Sequence, residues 1–492
     1  MEMNKKRLKQ RQARRLAAIY TLMVSAIIVV VALLVFIMLG YRFDSDAQKI
    51  EQTGLVQFDS SPSGATVEID KKALSQKTST KSVVSPRTHE FSIWREGYET
   101  WWKQLDIAPG TVTWLDYARL VPKDRKTDSV HTFEKLDDIA FAPFGRFALA
   151  HTEPSSPQFE LYDLRNADEV KKTTLTLPGE LLAGSDDAEG VHSYQIDEWD
   201  QSGRYILIKH VYNDQTEWLL ADRENEKNTK NISRIVDLPI ADAQISGSGG
   251  TRVFVLTEET VRLANLTDGT LSRAYASKVK SFSLYGSDVI TFIGLADNDS
   301  GDRVLGLVRR SDSSPHIIKT VPATDQSPIA ISTTNYYKKD YVVTSVGASV
   351  EILAGEYPGK DRQARDTLLQ YASFKSTEPV VWLQTSGNGR FVVAQGENGY
   401  MSYDLERDTT SSPIRFAEPT AQKLRWLDNY NFWTTEGGQL VMEEFDGTNK
   451  HVIAQTDGAF EASFDHNFTY LYSIAPAENG YSLQRVQMIL DK

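Results

Sequence analysis

The sequence predicts a mainly β protein with an N-terminal transmembrane helix, a small β-sandwich and then a β-propeller. Three observations predict this order: one long apolar run lies near the start of the chain, about 68 residues of short strands follow it, and a strand–turn–strand unit then recurs. A chain of 492 residues has room for several domains. The predicted segments are a basic cytoplasmic tail (1–15), the helix (16–41), a stalk (42–53), the sandwich (54–121), a linker (122–131) and the propeller (132–492).

Composition excludes several classes of function. The chain has no cysteine, which excludes disulfides, thiol nucleophiles and Cys-ligated zinc. The net charge is -12, although residues 1–15 alone carry +6, so the remainder carries -18. A nucleic-acid groove needs a basic stripe, and we therefore expect no nucleic-acid partner.

The apolar run from Leu16 to Leu39 predicts the transmembrane helix. It contains 24 residues and no charge. A helix of this length measures about 36 Å, which exceeds the ~30 Å hydrocarbon core of a bilayer. The apolar region of a cleaved signal peptide is shorter, at about 7–15 residues. We therefore expect an uncleaved anchor that contacts the lipid bilayer through residues 16–41.

A cluster of basic residues precedes this helix and predicts its orientation. The positive-inside rule retains such a flank in the cytoplasm, so the rest of the chain is expected to be extracytoplasmic. The expected location is the cell membrane, with a single pass. The predicted topology determinants are Lys5, Lys6, Arg7, Lys9, Arg11, Arg14 and Arg15.

The segment after the helix changes from a polar stalk to strands. Residues 42–53 lack helical periodicity and are predicted to be a stalk. From Gly54 onwards, apolar and polar residues alternate, as expected for strands with one buried face. Pro62 fixes its own φ near -65° and Gly64 tolerates a positive φ, so the stretch between the first two strands is predicted to be a tight turn.

This small domain resembles the PEGA domain, which is named for the turn after its first strand. The chain departs from the usual family pattern at Lys71, where a Gly is common, and at Arg87, where Pro86 is not followed by Gly. The resemblance implies an extracytoplasmic β-sandwich without catalytic residues. The residues that carry it, with an expected structural role, are Pro62, Ser63, Gly64, Ala65, Gly97 and Tyr98.

Four tryptophans fall in this domain: Trp94, Trp101, Trp102 and Trp114. Core filling is the favoured interpretation, and a stacking face for sugars or a lipid interface is the alternative. Neighbouring side chains in one strand point to opposite faces. Trp101 and Trp102 are therefore the candidate exposed aromatics.

The remaining residues contain eight copies of a strand–turn–strand unit. Its clearest turns are FGRFALA at Phe144, SGRYILI at Ser202 and NGRFVVA at Asn388. Repeats of about 40–50 residues with several strands are typical of propeller blades. The pattern resembles WD40-like or translocation-protein-type bacterial propellers. Eight blades are favoured, with seven if the copy around 336–357 is misread, and a strand within 129–136 is expected to close the ring.

No local motif predicts catalysis, a metal site or a cofactor. The eight histidines show no metal-ligand spacing; His151 and Glu153 come nearest, and surface positions are expected for the histidines. Two acidic loops, 186–189 and 296–302, are interpreted as solvated turns, with calcium binding as the alternative. The expected catalytic, metal and cofactor sets are therefore empty.

The function expected from the sequence is binding or structural support at the cell surface, with the propeller presenting a face to an envelope protein or polysaccharide. The alternative is an extracytoplasmic lyase or hydrolase whose acids and bases meet in the propeller channel, since such a site leaves no local motif.

Overall fold

The computed structural model describes residues 2–44, 49–187, 189–298, 300–359, 364–420 and 422–490. Two compact units are present, 1–124 and 125–492. The first contains one long helix, α1 (Glu2–Met38), followed by a hairpin of β1 (Tyr41–Asp44) and β2 (Lys49–Gln52). The hairpin occupies part of the predicted stalk, of which residues 45–48 lie outside the described residues. Its strands pair across four registered positions, from Tyr41 opposite Gln52 to Asp44 opposite Lys49.

The helix α1 continues through the basic flank and the apolar run. A 25-residue stretch, Arg14–Met38, is long and apolar enough to cross a membrane, and its most apolar 18 residues have a mean hydropathy of 3.0. None of its most apolar window is buried by the rest of the protein. A helix that is apolar on all sides is typical of a protein core or of a membrane span.

Two sheets follow in the first unit and form the β-sandwich. One sheet has the order β6-β3-β9, with β3 and β9 parallel, and the other has the order β5-β4-β7-β8. Val56, Phe58, Phe91 and Ile93 fill its core. The strands are β3 (Gly54–Ser61), β4 (Thr66–Ile69), β5 (Lys72–Lys77), β6 (Thr80–Val84), β7 (Thr88–Trp94), β8 (Trp101–Asp106) and β9 (Val112–Arg119).

The second unit is a β-propeller. Among its described residues, eight successive antiparallel sheets each contain a four-stranded path. The strands of sheets 1 to 4 are β11 (Asp138–Phe141), β12 (Phe147–His151), β13 (Gln158–Asp163), β14 (Lys171–Thr176); β15 (His192–Trp199), β16 (Tyr205–Tyr212), β17 (Gln215–Asp222), β18 (Lys230–Asn231); β19 (Asp242–Ile245), β20 (Arg252–Thr257), β21 (Thr260–Asn265), β22 (Thr270–Leu271); and β23 (Val279–Tyr285), β24 (Val289–Leu295), β25 (Arg303–Arg309), β26 (His316–Val321).

Sheets 5 to 7 continue this order, and the copy that the sequence left doubtful is sheet 5, with all four strands in place. Two short helices, α2 (Ile232–Val236) and α3 (Ala364–Thr367), lie in connections. The strands are β27 (Ile329–Tyr336), β28 (Lys339–Val346), β29 (Ser349–Gly355), β30 (Leu368–Lys375); β31 (Trp382–Thr385), β32 (Phe391–Gln395), β33 (Gly399–Asp404), β34 (Thr409–Thr410), with β35 (Ile414–Arg415) pairing β33; and β36 (Arg425–Trp426), β37 (Asn431–Glu436), β38 (Gln439–Glu444), β39 (His451–Gln455).

Sheet 8 joins the two ends of the propeller. It contains β40 (Ser463–Phe464), β41 (Tyr470–Ala477) and β42 (Gly480–Gln487) from the end of the chain, and β10 (Thr127–Phe133) from its beginning. The predicted pairing between the two ends is therefore confirmed. The closing strand begins at Thr127, within the segment predicted as a linker.

Apolar clusters fill the space between neighbouring sheets. Leu149, Phe159, Ile206 and Leu219 belong to the cluster between sheets 1 and 2. The seam between sheets 8 and 1 is filled in the same way, by a cluster that includes Phe133, Tyr162, Phe460, Tyr472 and Leu483. Each four-stranded sheet thus buries its apolar faces against its neighbours, as propeller packing requires.

Candidate functional site

The turn of the PEGA motif is held by one threonine. The Ser61–Pro62 peptide is cis and Gly64 has a φ of +80°. The Thr78 carbonyl accepts a hydrogen bond from the Gly64 N–H at 3.0 Å, and the Thr78 hydroxyl accepts one from the Ala65 N–H at 3.0 Å. Ser63 is exposed at the tip. The turn residues therefore fix the chain path between β3 and β4.

The second motif pair holds the chain that leads into β8. Gly97 has a φ of +82°, and its carbonyl accepts a hydrogen bond from the Lys123 N–H at 2.9 Å. The Tyr98 side chain is buried, and its backbone forms an isolated bridge with Pro122. Gly97 and Tyr98 therefore hold the segment before β8 against residues 122–123, which follow β9.

The tryptophans of the sandwich differ from the favoured expectation. Trp101 is 1% exposed and packs edge-on against Tyr117, with 5.9 Å between ring centroids. Trp102 is 48% exposed, Trp94 is 41% and Trp114 is 37%. Core filling is therefore correct for Trp101 and wrong for the other three, and Trp101 is not an exposed aromatic. Alternation along β8 places Trp101 and Trp102 on opposite faces.

The predicted topology determinants all lie within α1. Arg14 and Arg15 are exposed. The same helix carries Lys5, Lys6, Arg7, Lys9 and Arg11 on its backbone path before the apolar run.

The histidines are not surface residues as a class. His151, the residue nearest to a metal-ligand spacing, is fully buried; its ring nitrogens lie 3.2 Å from the Asp137 carboxylate and 2.8 Å from the Ser156 carbonyl. His210 is also buried, with Nδ1 2.7 Å from Glu217. In the described part of the chain, no group of three or more His, Cys, Asp or Glu is arranged to hold a metal ion.

The acidic loops are hairpin and connection segments. Asp187 accepts hydrogen bonds from the Tyr212 hydroxyl at 2.7 Å and the Glu189 N–H at 3.0 Å, which lower the pKa of its carboxyl. In the second loop, Asp302 accepts from the Ala323 N–H. Ala188 and Asp299 lie outside the described residues.

The first strands of sheets 1 to 6 contact one another in turn, as expected for the strands nearest a propeller axis. Polar side chains on or just before these strands bond to the backbone of the next sheet. We call them the inner ring: Asp138, Glu198, Gln244, Gln384, Arg425 and Glu461. Asp138 accepts from the Ile196 N–H at 3.3 Å, and Glu461 accepts from the Phe141 N–H at 3.3 Å.

The remaining members repeat this contact around the ring. Glu198 accepts from the Ile245 N–H. Gln244 donates to the Phe282 carbonyl at 3.1 Å and accepts from the Leu284 N–H at 2.7 Å. Gln384 donates to the Leu424 carbonyl at 3.2 Å, and Arg425 donates to the Phe460 carbonyl at 2.9 Å. The inner ring thus connects sheets through side chain to backbone bonds.

The acidic members of this region have raised pKa values. Burial, with the nearby charge of Asp242, raises the pKa of Asp197 to about 6. Burial, together with Asp197 and Asp242, raises the pKa of Glu198 to about 7, against the hydrogen bond from Ile245. Burial also raises the pKa of Asp138, Asp242 and Glu461. The carboxylates come from sheets 8, 1, 2 and 3, so they occupy one acidic arc of the ring.

A cavity of about 380 Å³ lies beside Arg425, the basic member of the inner ring. It is lined by the connection between sheets 6 and 7 and by the turn between β37 and β38, including Phe416, Lys423, Arg425 and Trp433. Desolvation lowers the pKa of Lys423, although its side chain remains accessible from the cavity. The Arg425 guanidinium lies 5.3 Å from the centroid of the Trp433 ring.

Sequence reasoning missed the inner ring, although a positional signal exists. A turn follows the first strand of each of these sheets, and it begins at Asp200, Ser246 or Ser386. Glu198, Gln244 and Gln384 each lie two residues before the start of their own turn. Asp138 lies four residues before the equivalent Ala142. Polar residues at these offsets, taken across repeats, would have indicated a shared position on the first strand.

Replacing Glu198 by Gln tests the charge of the inner ring. Because the folded-state pKa is raised, protonated Glu198 favours the folded state at low pH, and that stability is lost as pH rises from about 4.5 through 7. Gln keeps an oxygen for the Ile245 N–H and carries no charge, as Gln244 and Gln384 do. As pH rises from 4.5 to 8, we expect the stability of Glu198→Gln relative to the parent to increase by about 2 kcal/mol. This value is smaller than the full pKa shift implies, because Glu198 has partial access to solvent.

Thermal unfolding of the full chain at both pH values measures this difference. Glu153→Gln, an exposed carboxyl in the turn between β12 and β13, is the matched control and should give parallel curves. A Glu198→Gln curve that is also parallel to the parent would show that the Glu198 charge costs the folded state nothing.

The sheet order and the sandwich define the class of this protein: a chain with one apolar N-terminal helix, a small β-sandwich and a β-propeller. Residues 53–122 match the PEGA domain. No curated protein matches the chain.

Solved structures similar to this chain are WD40 and β-propeller domains. The C-terminal WD40 domain of Sif2 has a TM-score of 0.48 and 13% identity, and the match covers 74% of this chain and 99% of that one. The Cps50 (Swd1) β-propeller domain of Myceliophteria thermophila has a TM-score of 0.38 and 11% identity, covering 75% and 100%. Apo AztD from Citrobacter koseri has a TM-score of 0.38 and 10% identity, covering 79% and 94%.

Proposed function

We propose that this chain is a membrane-anchored binding protein whose sandwich and propeller lie outside the cytoplasm. The observation that carries the proposal is the unburied apolar stretch within Arg14–Met38, whose uncharged run from Leu16 is preceded by seven Lys and Arg residues. A surface of this length and hydropathy is stable in a bilayer, and the basic flank favours the cytoplasmic side. The anchor, retained after insertion, then holds the folded domains at the cell surface.

The propeller is the part that we propose to bind a ligand or partner. Its inner ring combines an acidic arc with Arg425 and the cavity next to Lys423. Charged groups that converge at one place provide specificity in binding sites. Carboxylates favour ligands with hydroxyl or cationic groups and disfavour nucleic acid. An envelope polysaccharide or an envelope protein is therefore the proposed partner.

Protease digestion of a C-terminal tag on intact cells tests the orientation. We expect external protease to remove the tag from intact cells, because the domains after the helix are exposed to the medium. A tag at the N-terminus of the same chain is the matched control and should survive until the cells are lysed. Survival of the C-terminal tag on cells whose outer layers have been permeabilised, with loss of the N-terminal tag, would reverse the proposed topology.

An extracytoplasmic hydrolase or lyase is the second candidate. The raised pKa values of Asp197 and Glu198 favour it, because a general acid must hold its proton near neutral pH. We propose binding without turnover, since Glu198 is engaged with the next sheet. Release of reducing ends or unsaturated sugars from envelope polysaccharides by the full chain, abolished by Asp197→Asn, would establish the enzyme instead.

A further inference from the structure

We propose that the outer face of the sheet β5-β4-β7-β8 binds a neutral glycan chain, with Trp94 and Trp102 as its stacking platform. The inference rests on the proposed extracytoplasmic location only to explain where the glycan comes from. It assigns a binding surface to the sandwich, in addition to the one proposed for the propeller. The two indoles are 41% and 48% exposed.

Strand register places both indoles on the same face. Trp102 lies directly opposite Ser92 on β7, and Trp94 is two residues further along the same strand. Side chains two residues apart in a strand share a face, so Trp94 and Trp102 are diagonal neighbours. Such neighbours have Cβ atoms up to about 7–8 Å apart, a distance that large aromatic side chains span. The register therefore places the two indoles side by side on one face of the sheet.

A hydrogen bond positions one of the two indoles. Trp94 Nε1 donates to the Glu68 carboxylate at 3.0 Å, and Glu68 lies on β4 opposite Ser92. This contact satisfies the only polar atom of the indole and leaves its apolar ring faces for a ligand. Trp94 is thus oriented before any ligand arrives, which lowers the entropic cost of binding.

The other side chains of this face on β4, β7 and β8 are polar. They supply hydroxyl, carboxamide and carboxylate groups, which exchange hydrogen bonds with sugar hydroxyls in the plane around the stacked rings. No aliphatic side chain accompanies the indoles on these three strands. The polar set is Thr66, Glu68, Thr88, Glu90, Ser92, Gln104 and Asp106.

This composition favours a glycan over other occupants. A protein partner would require a larger apolar centre, because the core of protein interfaces is about 65% apolar. An anionic membrane surface is attracted by Lys and Arg. On this face three carboxylates that repel such a surface, Glu68, Glu90 and Asp106, outnumber Lys77 of β5, which lies opposite Thr66. The same three carboxylates disfavour polyanionic glycans. Neutral sugars offer apolar C–H faces for the indoles and hydroxyls for the polar residues.

Retention on insoluble chitin and cellulose tests the proposal with the full chain in nanodiscs of zwitterionic lipid. We expect retention on at least one of these neutral polymers, and a loss of affinity of about tenfold for Trp94→Ala and for Trp102→Ala. Trp102→Tyr should keep most of the affinity. The matched control is Trp114→Ala, which removes a similarly exposed indole from β9 in the other sheet and should bind within twofold of the parent.

Thermal unfolding shows which variants are folded. If an Ala variant does not fold, Trp102→Tyr still tests the proposal. Absence of retention on both polymers would overturn the proposal, as would an equal loss for Trp114→Ala. Trp94- and Trp102-dependent binding to phosphatidylglycerol vesicles would identify a membrane surface instead. None of these results depends on topology, which the protease experiment measures separately.

Discussion

Replacing Asp404 by Ala is expected to destabilise the propeller by about 3–5 kcal/mol, because it removes the carboxylate that accepts two hydrogen bonds from a buried guanidinium. Arg390 donates to both Asp404 oxygens, from Nε at 2.9 Å and from Nη2 at 2.7 Å. Arg390 is 3% exposed and Asp404 is 4% exposed. The Glu406 carboxylate, 2.5 Å from Arg390 Nη1, remains in the variant and compensates only part of the loss.

The chain offers its own matched control for this variant. Arg204 and Asp222 form the same two-pronged pair in sheet 2, at 2.9 Å and 2.7 Å. The Arg204 side chain is 35% exposed, so water replaces the lost carboxylate. We expect Asp222→Ala to cost about half as much as Asp404→Ala, measured by chemical unfolding of the full chain in detergent. Equal losses would show that burial of the arginine does not set the cost.

Replacing Phe133 by Ala is expected to destabilise the propeller by about 3–5 kcal/mol, through the cavity it leaves at the ring closure. Phe133 ends the closing strand, is 3% exposed and packs edge-on against Tyr162 of sheet 1, with 6.0 Å between ring centroids. Its loss therefore weakens the contact between sheet 8 and sheet 1. Thermal unfolding of the full chain should show a lower midpoint.

Phe144→Ala is the control for the closure variant. Phe144 is 72% exposed in the turn before β12, so its truncation leaves no cavity and should change stability by less than about 0.5 kcal/mol. Limited proteolysis adds a second measure, since a weakened closure should expose cleavage sites in β10 and β42 first. Unchanged stability and unchanged cleavage in Phe133→Ala would show that the ring does not depend on this seam.

Local patterns in the sequence were sufficient for the order of elements. The uncharged run after Arg15 predicts α1, and alternation in β7 and β8 predicts a half-buried sheet. The turns at Gly203 and Gly389 precede the second strands of sheets 2 and 6. The same Gly-Arg turns supply Arg204 and Arg390, whose partners Asp222 and Asp404 end the third strand. These relations lie within one repeat, where spacing along the chain determines which residues meet.

Contacts between repeats could not be read in the same way. Glu198 meets Ile245 only because two sheets stand side by side. Burial raises the pKa of Glu198, and Asp242 from the neighbouring sheet adds to this effect. Alternation showed that Trp101 and Trp102 face opposite sides without showing which side is the core. His151 was expected at the surface because its spacing fits no metal site, whereas the structure buries it beside Asp137.

The ring closure has a consequence for biosynthesis. The hydroxyls of Ser129 and Ser482 bond at 2.7 Å across 353 residues of sequence, and the same two strands complete sheet 8. During synthesis, β10 therefore leaves the ribosome long before β42 exists and waits as an unpaired edge. Contacts of such large sequence separation form slowly, and open edges invite aggregation. We expect the nascent chain to need protection of that edge by a chaperone until the last strand emerges.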